Sequence, residues 1–229
     1  TLSSSSAASD VYKRQHFPHP PAEARAAIGR LVARHAIFAG IEDRAGPLPW
    51  IVRPQGFPGL LRAICAQLVS NEAAFAIWRR VSALPGATTP EGFLELDPER
   101  VGIEGGLTRQ KVRHGRALAE AILTGALRLD ALDAMGDEEA VAHLCTVKGI
   151  GRWTAEVHLL FSHQRPDVFP VGDLALQAAA AHLLALPARP DAKAMAAIAA
   201  AWAPDRAVAA RLLWHHWLHH TKRATLDPA

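Results

Sequence analysis

Cysteine is nearly missing from this chain: Cys65 and Cys145 are the two among 229 residues. They stand far apart and form no metal-ligand or disulfide pattern, which fits a reducing cytoplasm or nucleus. Tyrosine occurs once, at Tyr12, and methionine twice. No apolar run approaches the roughly 18 residues that a membrane-spanning helix needs, so no membrane partner is expected. No stretch alternates apolar and polar residues over a useful length, and no internal repeat is visible, which speaks against strands and sheets. The start, TLSSSSAASDVYKRQ, lacks an apolar segment of the secretory kind. We read residues 1–20 as a disordered leader, or a scar of cloning or sequencing, outside a domain spanning 21–229.

Half of the residues are hydrophobic, with alanine and leucine prominent, a mixture that favours helices. The expected fold is all-α. Net charge is +3, which permits a polyanionic partner without requiring one. After Pro20-Pro21, residues Ile28, Leu31, Val32, His35 and Phe38 recur at helical spacing and predict a first helix over Ala22 to Ala39. Gly40 to Phe57 is rich in glycine and proline and reads as a long loop holding Trp50. Pro58 opens the next helix, with Leu61, Ile64 and Leu68 on one face, and Glu72 to Val81 forms another. Thr89-Pro90 and Asp97-Pro98 each place a capping residue before a first-turn proline.

Thr108 is positioned to cap a helix running to Leu123. Arg109, Arg113 and Arg116 fall on one face of it, with Lys111 nearby and no acid between Leu107 and Ala119. Such a stripe is either a solvated face or a set of phosphate contacts. At the C-terminal end, Ala209, Leu212, Leu213 and Trp217 give the last helix a core face. In WHHWLHH, His215 and His219 are one turn apart, as are His216 and His220, but no third zinc ligand is evident. Solvated or phosphate-facing histidines are the simpler reading.

The most informative stretch is LCTVKGIGRWTAEVHLLFSHQRPDVFPVGDLALQ, residues 144–177. Asp137-Glu138-Glu139 opens one helix, with acids at the positive end of its dipole. The turn Lys148-Gly149-Ile150-Gly151 then leads into a second helix that carries Trp153 near its start. Two glycines around one aliphatic residue suit a tight hairpin between helices. Amide groups at Gly149 and Gly151, at a helix N-terminus, form an anion site. Downstream, Asp173 precedes an apolar helical run, where an aspartate is most often an N-cap. A carboxylate following a phosphate-gripping turn also admits a catalytic role on nucleic acid.

The string GIGRWTA followed by D-V-F-P-x-x-D resembles the helix-hairpin-helix glycosylase superfamily, and within it the 3-methyladenine DNA glycosylase II branch. The resemblance spans roughly residues 25–218. It implies two helical subdomains flanking a cleft, one of them a middle subdomain over about residues 60–165 and the other built from the N- and C-terminal helices. It implies that Asp173 is the catalytic carboxylate and that Trp153 and Trp214 line the base pocket. Lys148, Gly149, Ile150, Gly151, Arg152 and Thr154 would meet the DNA backbone, with Arg109, Lys111 and Arg113 beside them. Gln67 and Leu68, in CAQLVSN, match a loop that wedges into the duplex where the damaged base leaves the stack. Periodicity alone would make Leu68 the last core leucine of its helix, and Gln67 has the same ambiguity, since a buried glutamine can be a structural hydrogen-bonder. Main-chain carbonyls of Cys145, Val147 and Gly149 would hold a Na+ or K+ ion.

Two departures narrow the implied activity. Branches that also nick the strand carry a nucleophilic lysine at the place of Trp153, and others carry a four-cysteine iron–sulfur cluster that two cysteines cannot form. The expectation is a monofunctional, monomeric enzyme, without a required cofactor, excising alkylated purines of the 3-methyladenine type from double-stranded DNA in cytoplasm or nucleus. It looks like a compact form without the family's N-terminal β domain. A non-catalytic helix-hairpin-helix DNA-binding module is the alternative from another class, and a glycosylase for a different damaged base is a third.

Overall fold

The computed structural model describes residues 19–223, and the expected leader therefore lies largely outside the described part. Within it the chain is all-α, without a strand. The helices are α1 (Ala22–Arg34), α2 (Ile41–Ala45), α3 (Gly56–Cys65), α4 (Asn71–Ser82), α5 (Pro90–Glu95), α6 (Pro98–Gly105), α7 (Arg109–Leu123), α8 (Asp137–Leu144), α9 (Arg152–Phe161), α10 (Leu174–Leu183), α11 (Ala192–Ala200) and α12 (Arg206–His220). None of them is long and apolar enough to cross a membrane.

Helix starts follow local chemistry. The Thr89 hydroxyl accepts from Gly92 N, the Asp97 carboxylate from Glu99 N and Arg100 N, and the Thr108 hydroxyl from Lys111 N. Each satisfies amides that the first turn leaves without a helical partner, a contribution of about 1 kcal/mol per cap. The first helix stops at Arg34, short of the expected Ala39. His35 turns extended, and a short 3-10 turn over Ala36–Phe38 drives Phe38 edge-on into Trp202, with ring centroids 5.3 Å apart. The expected loop after it contains α2, because Gly40 adopts a left-handed φ of 67° that lets the chain restart a helix.

Two hydrophobic cores result. One gathers Leu60, Leu61 and Ile64 of α3 with Trp78, Phe93, Leu118, Val141, Leu144 and Ile150. The other packs Ile28 and Leu31 of α1 against Phe38, Leu176, Trp202, Leu212, Leu213 and Trp214. Helix α9 serves both: Ala155 and Leu159 face the first core, while Val157, Leu160 and Phe161 face the second. Its N-terminus is thus fixed from two sides, at the seam between the two cores.

A buried cation stiffens the same seam. Arg211 of α12 is 4% exposed and donates to the carbonyls of Ile51 and Leu160 at 2.9 and 3.1 Å. Its guanidinium lies over Trp50 and Phe161, 4.1 and 4.5 Å from the ring centroids. Burial, with Arg53 adding repulsion, pushes Arg211 down to about 9. The loop before α3 is thereby tied to α9 and α12.

Candidate active site

Asp173 begins α10, and its carboxylate is surrounded by donors. Oδ1 accepts from Ala175 N and Leu176 N, both at 2.9 Å, and from the Trp214 indole N–H at 3.1 Å. Oδ2 accepts from the Trp153 indole N–H at 2.8 Å. The N-cap reading and the site reading therefore coincide in one side chain. Trp153 comes from α9 and Trp214 from α12, so the carboxylate is positioned by three helices. Among the described residues Oδ2 has a single partner, which leaves acceptor capacity for a substrate atom or a water.

Asp173, Trp153 and Trp214 line a cavity of about 500 Å³ that also reaches Phe161 and Trp217. Phe161 stacks on Trp214 with centroids 5.5 Å apart. Aromatic faces on several sides and a carboxylate on another suit a flat, cationic ring. Trp217, which helical spacing assigns to the core, is a further wall. Its distance of three residues from Trp214 is the signal that places both on one face. Arg53 and Glu72 line the cavity too, and nothing in their local sequence marks them.

The hairpin lies beside this cavity. Gly149 has φ 97°, and a Cβ there would fall 2.2 Å from Cγ of His114 on α7, so only glycine fits. Gly151 precedes α9 in extended conformation, with no side-chain cap and open space where a Cβ would stand. That N-terminus is accessible to a ligand anion. Lys148, Arg109 and Arg113 are exposed on the same part of the molecule. Burial, with Lys148 and Arg113 adding repulsion, lowers the His114 pKa.

Several expected DNA contacts turn out to be internal braces. Lys111 is 9% exposed and donates to the Cys65 carbonyl at 2.8 Å, closing the end of α3. Arg116 leaves the stripe to donate to the Leu94 and Leu96 carbonyls. Gln67 donates from Nε2 to the Gly149 carbonyl and to the Thr154 hydroxyl, both at 2.9 Å. It fastens the α3–α4 loop to the hairpin, and Thr154 is buried beneath it. Ile150 packs in the first core, and its amide bonds the Val147 carbonyl. Arg152 pairs with Glu138 at 2.6 Å and with Glu156 at 2.8 Å, so its charge is matched within the hairpin. Glu156, buried, is pushed up to about 7 by desolvation against the opposing pull of Arg152. Spacing could not separate these roles from DNA contact, because both need a polar side chain near the turn.

Leu68 behaves differently. It is outside α3, fully exposed, with φ 56°, on the loop that Gln67 anchors. The reading of Leu68 as the last core leucine is overturned, since the helix ends at Cys65.

Of the three carbonyls expected to hold a cation, the Gly149 oxygen accepts from Gln67 Nε2 and the Val147 oxygen from Ile150 N, which leaves each a second lone pair. No metal-holding group of three or more His, Cys, Asp or Glu occurs among the described residues. His215 Nε2 instead meets the Gly46 carbonyl at 2.8 Å, and His216 bonds His182 at 2.9 Å. His219 and His220 are exposed at the end of α12.

Comparison with known proteins agrees with this geometry. Residues 61–205 match the family model described as HhH-GPD superfamily base excision DNA repair protein. DNA-3-methyladenine glycosylase 1 of Schizosaccharomyces pombe is 31% identical over 166 residues, covering 71% of this chain and 72% of that one. The solved S. pombe 3-methyladenine DNA glycosylase in complex with abasic DNA superposes with a TM-score of 0.74 at 27% identity, covering 84% of this chain and 95% of that one. A DNA-3-methyladenine glycosidase from Bacillus halodurans gives 0.71 at 28% identity, with 93% and 98% covered. With the family match covering more than half its length, and the hairpin, carboxylate and cavity assembled at one seam, the chain belongs to the HhH-GPD superfamily of base excision DNA repair proteins.

Proposed function

We propose that this protein is a monofunctional DNA glycosylase that excises alkylated purines of the 3-methyladenine type from duplex DNA. The observation that carries the reading is Asp173, held by both Trp153 and Trp214 at the wall of an aromatic cavity beside the hairpin. A non-catalytic binding module would need the hairpin and not the cavity. The similar proteins are named for 3-methyladenine, and one was solved with abasic DNA, the product that such a step leaves.

The chemistry follows from the charge of the substrate. A purine alkylated at a ring nitrogen is already cationic, so the C1′–N bond breaks with its electron pair moving to the base, which departs neutral. The sugar is left as an oxocarbenium ion. Asp173 stabilises that cation and orients a water, whose oxygen adds to C1′ and whose proton passes to solvent. The step asks for one aimed carboxylate and no redox partner. The flipped base rests against Trp153, Trp214 and Trp217. Gly151 and Lys148 hold the backbone, and Leu68 fills the gap in the stack. Lys148 is the lysine nearest the site in sequence, yet it belongs to the hairpin turn, and Trp153 stands where a strand-nicking enzyme needs its amine.

Chromatography of free bases released from dimethyl sulfate-treated duplex DNA tests the proposal. Release of methylated purines with the strands left intact is expected. Absence of any released base under conditions where the protein binds that DNA would overturn it.

A further inference from the structure

The loop that carries Leu68 also walls the cavity. Helix α3 ends at Cys65, and Val69, Ser70 and Asn71, which lead from Leu68 into α4, line the same cavity as Asp173. Leu68 itself is fully exposed at φ 56°, a left-handed conformation that is costly for a large side chain. A residue in such a conformation keeps it only where the surrounding structure holds it. Lys111 anchors the chain three residues earlier, through the Cys65 carbonyl. Gln67 anchors it next to Leu68, donating from Nε2 to the Gly149 carbonyl and to the Thr154 hydroxyl at 2.9 Å each. A carbonyl oxygen only accepts, so the amide nitrogen must face the hairpin, and these two bonds use both of its hydrogens.

Resting on the reading that Leu68 fills the gap left by the extruded base, we infer that Gln67 is a positioning residue that ties this act to the hairpin's hold on the DNA backbone. The far end of the tie is rigid. Gly149 is pressed against the His114 ring, where a Cβ would collide, and Thr154 is buried in the first turn of α9. Gln67 is thus a strut between the turn that meets the phosphates and the residue that enters the stack. With the duplex held at the hairpin, the strut sets where Leu68 meets the bases and where the cavity wall beyond it stands. Without the strut the hairpin still grips the backbone, but Leu68 has no fixed approach. The effect therefore falls on duplexes with a gap in the stack. A direct phosphate contact would instead serve every duplex alike, and the donors of Gln67 are already taken within the protein.

Fluorescence anisotropy on two duplexes of one sequence, one intact and one with a tetrahydrofuran abasic analogue, measures the preference for a missing base. Gln67→Met, similar in length and without donors, should lower that preference about ten-fold, the scale of one to two neutral hydrogen bonds. Affinity for the intact duplex should hardly change. Leu68→Ala should lower the preference too, and adding Gln67→Met to it should lower it little further, because a residue that acts through another gives non-additive losses. Additive losses overturn the inference. So does a preference left where it stood, whether Gln67→Met binds both duplexes normally or weakens both equally. A wild-type protein with no preference for the abasic duplex removes wedge and strut together, and release of methylated bases by that protein would leave the glycosylase reading standing.

Discussion

The indole N–H of Trp153 donates to Oδ2 of Asp173 across 2.8 Å, so the residue standing where a strand-nicking enzyme has lysine is bonded to the proposed catalytic carboxylate. The tryptophan contributes a face to the cavity and also fixes which way the charge points. Trp153→Phe keeps the ring and deletes the bond. Single-turnover base release should fall roughly 10- to 100-fold, the scale of one hydrogen bond to a charged group. Lesion-DNA affinity measured by anisotropy should change by less. Equal losses in both would mean that the indole only packs.

Asp173→Asn tests the carboxylate itself. Asparagine can still accept from Ala175 N and Leu176 N, so α10 keeps its cap and the thermal midpoint should hardly move. Base release should drop by two to three orders of magnitude, roughly the effect of removing one preorganised charge-stabilising group. A variant that excises at near the normal rate would take Asp173 out of the mechanism.

No amine at the position of Trp153 means no imine with the opened sugar. Treated lesion DNA should stay full length on a denaturing gel until alkali is added, and borohydride should trap no protein–DNA adduct. Efficient trapping, abolished by Lys148→Ala, would instead make that turn lysine a nucleophile.

The two hairpin glycines should fail in different ways. At Gly149, alanine meets φ 97° and the His114 ring together, so Gly149→Ala should destabilise the fold by about 1–3 kcal/mol in urea titrations. At Gly151 the space is open, and Gly151→Asp should leave the urea midpoint nearly unchanged. Placed beside the bound phosphate, that aspartate should weaken binding to all duplexes alike and shallow the salt dependence. Loss confined to one sequence would show that the hairpin does not grip the backbone.

Acid should destabilise the protein below neutrality. Burial, with His163 and Arg53 adding repulsion, pushes His158 down to about 3, and burial, with His182 and Arg44 adding repulsion, pushes His216 down to about 4. Unfolded histidines take up protons near pH 6.5, so their stabilising contribution is complete above that pH and is lost as pH falls toward 4 and then 3. Glu156, raised to about 7, acts in the opposite sense: its contribution is complete below about pH 4.5 and is lost as pH rises through 7. Between pH 6.5 and 4.5 two histidines outweigh one carboxyl, and the thermal midpoint should fall with acid. His158→Leu should flatten that decline. A decline of the same slope in the variant would remove His158 as a cause.

What the sequence by itself determined was local. Thr89, Asp97, Thr108 and Asp173 announce their helices because a capping side chain acts within three residues, and Gly149 announces its turn because only glycine takes φ 97° there. The all-α class was legible for the same reason, and the resemblance of one continuous stretch named Trp153 and Asp173 as candidates without showing the bond between them. Tertiary structure decided everything that depends on a distant partner. Lys111 reads as a surface cation until the Cys65 carbonyl takes it, and Gln67 reads equally as a DNA contact or a structural hydrogen-bonder until the hairpin takes it. Leu68 reads as core until α3 ends three residues early. Arg53 and Glu72, far in sequence from Trp153 and Asp173, line the same cavity only in the folded chain. Periodicity records which face of a helix is apolar; it carries no information about what stands opposite.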